Sequence, residues 1–237
     1  MGTKRTSGFT IIEVSMVLAI AALLMVGIMA GISFAVQRQR FSDSVNSTQS
    51  YIQQQYNESQ TVTINRGGDV DCQGSRGASN CLVLGKLIDL YKVSGDDYVM
   101  HTRNVIIDNA DFESDTYRDR DALDTINLLH PRTKEDDSED FLVPWGASLK
   151  QPADGSIPVR YIAILRSPRT GELNVYKLTS VSDDAPNDTS LHFVELDDKI
   201  HTCIASSELT ATEASLEIDK TASQDGVTTK FDGADCS

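Results

Sequence analysis

The chain has 237 residues, room for one large domain or two small ones, and a formal net charge of −14 at pH 7. Because neutralising phosphates requires clustered lysine and arginine, this charge argues against a general nucleic-acid-binding protein. The charge is unevenly placed: Lys4, Arg5, Arg38 and Arg40 flank one apolar run, whereas most acidic residues follow residue 57.

The first predicted element is an apolar helix near the N-terminus. Residues 14–36, VSMVLAIAALLMVGIMAGISFAV, contain no charged side chain. As a helix they would extend about 34 Å, enough to cross a bilayer core of about 30 Å. A plain membrane anchor and a cleaved signal peptide are two interpretations, although the run is long for a signal peptide. Neither explains Glu13, a carboxylate beside the run that nothing nearby in the sequence neutralises.

A third interpretation comes from SGFTIIEVSMVLAI, residues 7–20, which resembles the cleavage and methylation motif of type IV prepilins and type II secretion pseudopilins. The family pattern is a short basic leader ending in glycine, then phenylalanine, four mostly apolar residues closing in glutamate, and an unbroken apolar helix. By this resemblance residues 1–8 are the leader peptide, Gly8 is its last residue and Phe9 becomes the new N-terminus. The resemblance covers about the first fifth of the chain.

The resemblance also implies a role for Glu13. A prepilin peptidase would cut between Gly8 and Phe9, and N-methylation of Phe9 would keep its new amine positive. In a filament Glu13 would pair with this amine on a neighbouring subunit. Since an unpaired carboxylate in an apolar core loses hydration worth several kcal/mol, the pairing favours one axial register. The alternative is an interfacial charge that reaches lipid headgroups.

Two glycines interrupt the apolar run. Gly27 and Gly31 have the G-x-x-x-G spacing that lets helices approach closely, although an apolar helix can also simply tolerate two glycines. Many type IV pilins carry a proline in this helix, and this run has none. The run is therefore compatible with either a pilin or a pseudopilin. Basic residues flank the run equally, so charge does not fix its orientation. The resemblance implies a cytoplasmic N-terminus and an extracytoplasmic head.

Beyond the apolar run the pattern becomes amphipathic. Phe41, Val45, Ile52 and Tyr56 recur at helical spacing, and neither proline nor glycine occurs between residues 32 and 66. We therefore predict one stalk helix over residues 9–56, with its transmembrane segment at residues 14–36. Residues 65–80 are rich in glycine, asparagine, aspartate and serine and predict an exposed loop.

The rest of the chain, residues 57–237, is predicted to be an acidic α+β head with an antiparallel sheet packed on the stalk helix, as in pilin-like proteins. β-Branched and aromatic residues predict strands within residues 97–107, 159–165, 173–181 and 191–196.

Three further segments of the head have their own patterns. Residues 81–91, CLVLGKLIDLY, place Leu84, Leu87, Ile88 and Tyr91 on one helical face and predict a helix. Pro168 and Gly171 predict a hairpin turn at residues 166–172. The polar stretch HPRTKEDDSED, residues 130–140, predicts a loop.

The four cysteines, Cys72, Cys81, Cys203 and Cys236, all follow the apolar run. An even count in an exported region suggests disulfides, whereas the cytosol would keep free thiols. Four cysteines allow three pairings. In many type IV pilins a disulfide near the C-terminus encloses a variable region, and by this resemblance Cys203 would pair with Cys236. Cys72 and Cys81, close in sequence, would close a short loop.

The sequence contains no pattern typical of catalysis or of cofactor binding. The four histidines have no partner at zinc-ligand spacing, and no phosphate-binding or nucleophile motif occurs. The acidic stretch at residues 232–236 could offer oxygen ligands to Ca²⁺, but EF-hand spacing is missing and a solvated acidic surface is preferred. We therefore expect no enzyme, no cofactor and no metal.

The sequence predicts a structural subunit, minor or accessory, of a type IV pilus-like filament. The implied partners are a prepilin peptidase, other pilin subunits and the cytoplasmic membrane, and no nucleic acid is expected at the head. Two alternatives remain: a type II secretion or competence pseudopilin, and a single-pass anchored binding or adhesion protein that never polymerises.

Overall fold

In a computed structural model the described residues form an α+β fold, with one long N-terminal helix and antiparallel β-sheets. The described residues are 10–60, 81–94, 97–108, 122–150, 160–168, 170–178, 191–196, 199–206, 212–220, 226–231 and 236.

The helices and strands are numbered in chain order. The helices are α1 (Ile11–Gln60), α2 (Ala122–Leu128) and a short 3-10 turn (Pro144–Gly146). The strands are β1 (Cys81–Ser94), β2 (Asp97–Asp108), β3 (Arg132–Leu142), β4 (Ser148–Lys150), β5 (Tyr161–Arg166), β6 (Leu173–Leu178), β7 (Phe193–Glu195), β8 (Ile200–Ala205), β9 (Glu213–Ile218) and β10 (Val227–Lys230).

The chain divides into two compact units, Met1–Ser42 and Asp43–Ser237. The described part of the first unit consists of Thr10 and the first turns of α1. The second unit holds the remaining turns of α1 together with all the strands. Helix α1 runs one turn beyond the predicted end, and its last carbonyl, at Gln60, accepts a hydrogen bond from Arg166 Nη1 at 3.1 Å.

The larger sheet has six strands in the order β3-β2-β1-β5-β6-β7, all paired antiparallel. One face carries a core cluster of leucine, valine, isoleucine and aromatic side chains, to which Ile126 of α2 and Leu129, directly after it, contribute. The Asn127 side chain fixes α2 to β7, since its amide donates to the Phe193 carbonyl and accepts from the Phe193 N–H, both at 2.8 Å.

The smaller sheet has four strands in the order β10-β9-β8-β4, also antiparallel. Residues 43–60 of α1 are hydrogen bonded to both sheets. The Tyr51 hydroxyl donates to Thr102 on β2 at 2.7 Å, and the Gln49 amide donates to the Val227 carbonyl on β10 at 2.8 Å. Val45, Ile52 and Tyr56 are fully buried, so this part of α1 belongs to the head core.

The helix predicted for residues 81–91 is wrong, because this segment forms the central strand β1. Leu84, Leu87, Ile88 and Leu90 are all buried, so both faces of the strand lie in the core. A strand covered on both faces has no strict polar alternation, and its leucines can match a helical pattern by coincidence. Gly85 lets β1 approach β5 closely, since a Cβ placed there would lie 1.9 Å from the Ile164 carbonyl oxygen.

The loop predicted for residues 130–140 is also wrong, because most of it forms the edge strand β3. Its exposed acidic residues are compatible with an edge strand, where charge discourages pairing with other chains. The hairpin predicted at residues 166–172 is confirmed. It joins β5 to β6, Gly171 has a φ of 73°, and the Ser167 N–H donates to the Glu172 carbonyl at 2.7 Å.

Candidate functional site

The first turn of α1 is closed by a reciprocal pair of side chains. The Thr10 carbonyl accepts the first helical hydrogen bond, from the Val14 N–H at 3.2 Å. Glu13 Oε2 accepts from both the Thr10 N–H and the Thr10 hydroxyl, each at 2.9 Å, and the Glu13 N–H donates to Thr10 Oγ1 at 3.3 Å. This is a capping box, in which two residues three apart satisfy each other's free backbone N–H groups.

The capping box gives Glu13 a partner that the sequence analysis missed. Thr10-Ile11-Ile12-Glu13 has the threonine-x-x-glutamate spacing of the motif, so the signal was present in the sequence. A carboxylate in the first turn also opposes the partial positive charge of the helix N-terminus. In a single chain Glu13 is therefore a helix-capping residue, and any pairing with an amine would be additional to this role.

The apolar surface of α1 is uncovered in the single chain. All residues from 10 to 36 are exposed, including the large side chains Ile11, Leu23 and Val26. The polar group of Ser15 is satisfied within the helix, since its hydroxyl donates to the Ile12 carbonyl at 2.9 Å. By length and composition α1 is one candidate membrane-spanning helix near the N-terminus. Contiguous apolar surface of this extent marks contact with a membrane or another protein.

Gly27 and Gly31 both lie on this uncovered surface. A Cβ placed on either glycine would have no neighbouring atom within 4 Å. Their absent side chains are therefore not needed for packing within the described part of the chain. Their predicted role in packing against a neighbouring helix stays a prediction. Gly8 and Phe9, where cleavage and methylation are expected, lie outside the described residues.

The structure contains the disulfide between Cys203 on β8 and Cys236 that the resemblance implied, with Cα atoms 5.7 Å apart. It ties the end of the chain to the smaller sheet. Cys72 and the side chain of Cys81 lie outside the described residues, so their expected pairing stays a prediction.

A buried carboxylate lies on β9, next to the disulfide-bearing strand. Glu217 is 6% exposed and contacts the ammonium groups of Lys230 and, at 3.6 Å, Lys199. Lys230, the larger influence, holds the pKa of Glu217 below its usual value, against the opposing effect of burial. Such pairing is required of a carboxylate at this depth, and it suits a structural role.

Groupings that could perform chemistry are few in the described part of the chain. No cluster of three or more histidine, cysteine, aspartate or glutamate side chains there could hold a metal ion. His101 contacts the Asp140 carboxylate across the β2–β3 pair. The acidic residues 232–235 lie outside the described residues.

The fold and the first turn of α1 define an α+β protein with an uncovered, capped apolar helix able to span a membrane. No protein-family model matches the chain, and neither a curated protein nor a solved structure is significantly similar to it.

Proposed function

We propose that this chain is a structural subunit, minor or accessory, of a type IV pilus-like filament. The observation that carries the proposal is an apolar helix uncovered over residues 10–36, with Glu13 as its one carboxylate in the first turn. Such a helix needs a membrane before assembly and other helices after it. The long head and the absence of proline from the apolar run favour an accessory subunit over a major one.

Proteolytic cleavage of the leader would be the first step in this function. A prepilin peptidase would cut after Gly8, and the new amine of Phe9 would be methylated and stay positive. The N-terminus would lie on the cytoplasmic side and the head outside. The Cys203–Cys236 disulfide supports this orientation, because such bonds persist in oxidising compartments and are rare in the cytosol.

In the filament, Glu13 would pair with the Phe9 amine of the next subunit. The described hydrogen bonds of the Glu13 side chain all go to Oε2, so Oε1 can accept an ammonium while the capping box stays intact. The pairing would therefore add a charge-assisted hydrogen bond without destabilising the helix. Subunits in a wrong register would bury the same carboxylate without a cation.

Intact mass spectrometry of the chain from its host, expressed with its own peptidase, tests the processing step. We expect a mature chain that begins at Phe9. A chain that retains residues 1–8 would contradict the proposal and favour a membrane-anchored binding protein. A chain that begins at Val36 would contradict it in favour of a signal peptide.

Two substitutions of Glu13 test the pairing. Glu13→Leu removes the charge and the cap, whereas Glu13→Gln removes only the charge, since glutamine also closes a capping box. We expect both variants to insert into the membrane and both to reach the filament fraction less than the native chain, by about tenfold, as one lost buried ion pair can produce. Native-level incorporation of Glu13→Gln would show that the pairing is wrong.

A type II secretion or competence pseudopilin would use the same residues in a shorter filament. The two systems differ in the machinery beside the subunit. Detection of the chain in a surface pilus by immunogold labelling favours the pilus.

A further inference from the structure

An open groove of about 540 Å³ runs along α1 beside the edge strand β3, within the second compact unit. A volume of this size is typical of small-molecule sites. From the first to the last of the helix residues in its wall, α1 rises about 16 Å, so the groove suits an elongated ligand. The groove is lined by Asp43, Asn46, Ser47, Ser50, Tyr51 and Gln54 from α1 and by Glu139 and Phe141 from β3.

The floor of the groove is an aromatic platform held in place from below. The partly exposed Phe141 ring stacks on the Tyr51 ring, with centroids 4.3 Å apart and planes 18° from parallel. Tyr51 is buried, and its hydroxyl donates to Thr102 at 2.7 Å. Because the face of an aromatic ring carries partial negative charge, it attracts the weakly positive C–H groups of a ligand. A platform that is already fixed also lowers the entropic cost of binding.

The wall that α1 contributes is polar and mostly uncharged. On the buried face of the same helix, the Thr48 hydroxyl donates to the Ser44 carbonyl at 2.9 Å. On the groove side, no hydrogen bond within the described residues engages the side chains of Asn46, Ser47 and Ser50. Their amide and hydroxyl groups therefore offer both donors and acceptors to a ligand.

The charges of the groove narrow the class of ligand. Asp43 and Glu139 are exposed carboxylates, and the described lining includes no lysine or arginine, so an anionic ligand is repelled. Ligand hydroxyl groups can donate to both carboxylates in charge-assisted hydrogen bonds. An aliphatic cation would pair with the two acids but leave the neutral polar wall unused. A ligand that combines C–H faces with many hydroxyl groups uses the whole lining.

We propose that this groove binds a linear, neutral oligosaccharide in an extended, β-linked form. A hexose ring presents a C–H face to Phe141 and its hydroxyl groups to the α1 wall and the two carboxylates. About three such rings in a row match the length of the helix wall. The inference depends on residues of the second unit alone and is independent of the proposed function.

Saturation-transfer NMR on the full chain, in a detergent without a sugar headgroup, tests the ligand class. The probes are cellohexaose and chitohexaose, which are β-linked and extended, and maltohexaose, which is α-linked and coiled. We expect transfer to the ring C–H groups of a β-linked probe at millimolar concentration, and none to maltohexaose. No transfer to either β-linked probe, or equal transfer to maltohexaose, would overturn the inference. Binding of spermidine but of no sugar would overturn it in favour of a cation site.

Matched substitutions test whether the groove is the site. Phe141→Leu removes the platform and should weaken binding of the β-linked probe about tenfold. Phe231→Leu, the same change at an exposed ring outside the groove, is the control and should leave binding unchanged.

Two further substitutions keep the aromatic stack intact. Asn46→Ala and Glu139→Gln alter exposed side chains, so the fold is retained, as circular dichroism would verify. Each should weaken binding by about fivefold, as the loss of one hydrogen bond does. Native affinity in both of these variants and in Phe141→Leu would place the sugar elsewhere and overturn the inference.

Discussion

Two tyrosines on α1 differ in how their hydroxyl groups are satisfied. Tyr51 donates to Thr102, whereas the Tyr56 hydroxyl is buried without a hydrogen-bond partner in the described structure. A buried polar group without a partner loses its hydrogen bonds to water and gains none in the protein. A paired group contributes about 1 kcal/mol to the free energy of unfolding. The two residues thus allow a paired and an unpaired buried hydroxyl to be compared on the same helix.

Replacing each tyrosine with phenylalanine should have opposite effects. Tyr51→Phe should lower the free energy of unfolding by about 1 kcal/mol, and Tyr56→Phe should leave it unchanged or raise it by up to about 1 kcal/mol. Urea unfolding of the detergent-solubilised chain, followed by circular dichroism, measures both. Equal destabilisation by the two variants would contradict the assignment of hydrogen bonds.

The buried tyrosines also predict loss of stability in alkali. Burial raises the pKa of Tyr51 to about 12, from an ordinary value of 10.0. The folded state therefore favours the neutral phenol, and the free energy of unfolding falls as the pH rises from 10 to 12. Tyr51→Phe should show a shallower fall over this interval, measured by urea unfolding at pH 7, 10 and 11.5. An unchanged slope would show that Tyr51 does not carry the effect.

At the scale of elements, the contact between β1 and β5 depends on one glycine. Gly85→Ala would place a methyl group 1.9 Å from the Ile164 carbonyl oxygen, within the centre of the larger sheet. Because the obstacle is backbone, the strands must separate, and we expect a loss of about 3 kcal/mol in the free energy of unfolding.

Gly171→Ala in the β5–β6 turn is the matched control. Its Cβ would meet the Arg166 side chain, which can move, and the φ of 73° alone disfavours alanine. A loss of about 1 kcal/mol is expected. Thermal unfolding compares the two variants, and a larger loss at Gly171 would contradict the close approach of β1 to β5.

Three strands and turns of the head show which structures could and could not be predicted from the sequence. The β5–β6 hairpin was predictable because Pro168 and Gly171 act locally. Strand β1 was mistaken for a helix because side chains that pack on it, such as Ile126 of α2, are distant in sequence. Strand β3 was mistaken for a loop because acidic residues suit an edge strand only when a partner such as β2 is known.

At the scale of the whole molecule, the Cys203–Cys236 disulfide closes a long stretch of chain, with a sequence separation of 33. The chain-entropy relation gives a stabilisation of about 3–4 kcal/mol for a loop of this length. Replacing both cysteines with alanine should lower the free energy of unfolding by that amount, measured by guanidinium unfolding. A change below about 1 kcal/mol would show that the bond is incidental to stability.

The candidate site was predictable where it is contiguous in sequence. The apolar run and Glu13 lie within one segment, and so does the capping box, which its spacing could have identified. The contact between α1 and β3, where Phe141 stacks on Tyr51, was not predictable, since Phe141 reaches α1 only through the pairing of β3 with β2. A surface assembled from segments that are distant in sequence can be identified only from the tertiary structure.

The position of the cap has a consequence for maturation. The proposed cut between Gly8 and Phe9 precedes Thr10, which supplies the first hydrogen bonds of α1 through its own amide, hydroxyl and carbonyl. Trimming would thus remove none of the described groups that form hydrogen bonds in the first turn. The leader could be cleaved after α1 has inserted into the membrane, without unwinding the first turn of the helix. The subunit would then be competent to polymerise at once.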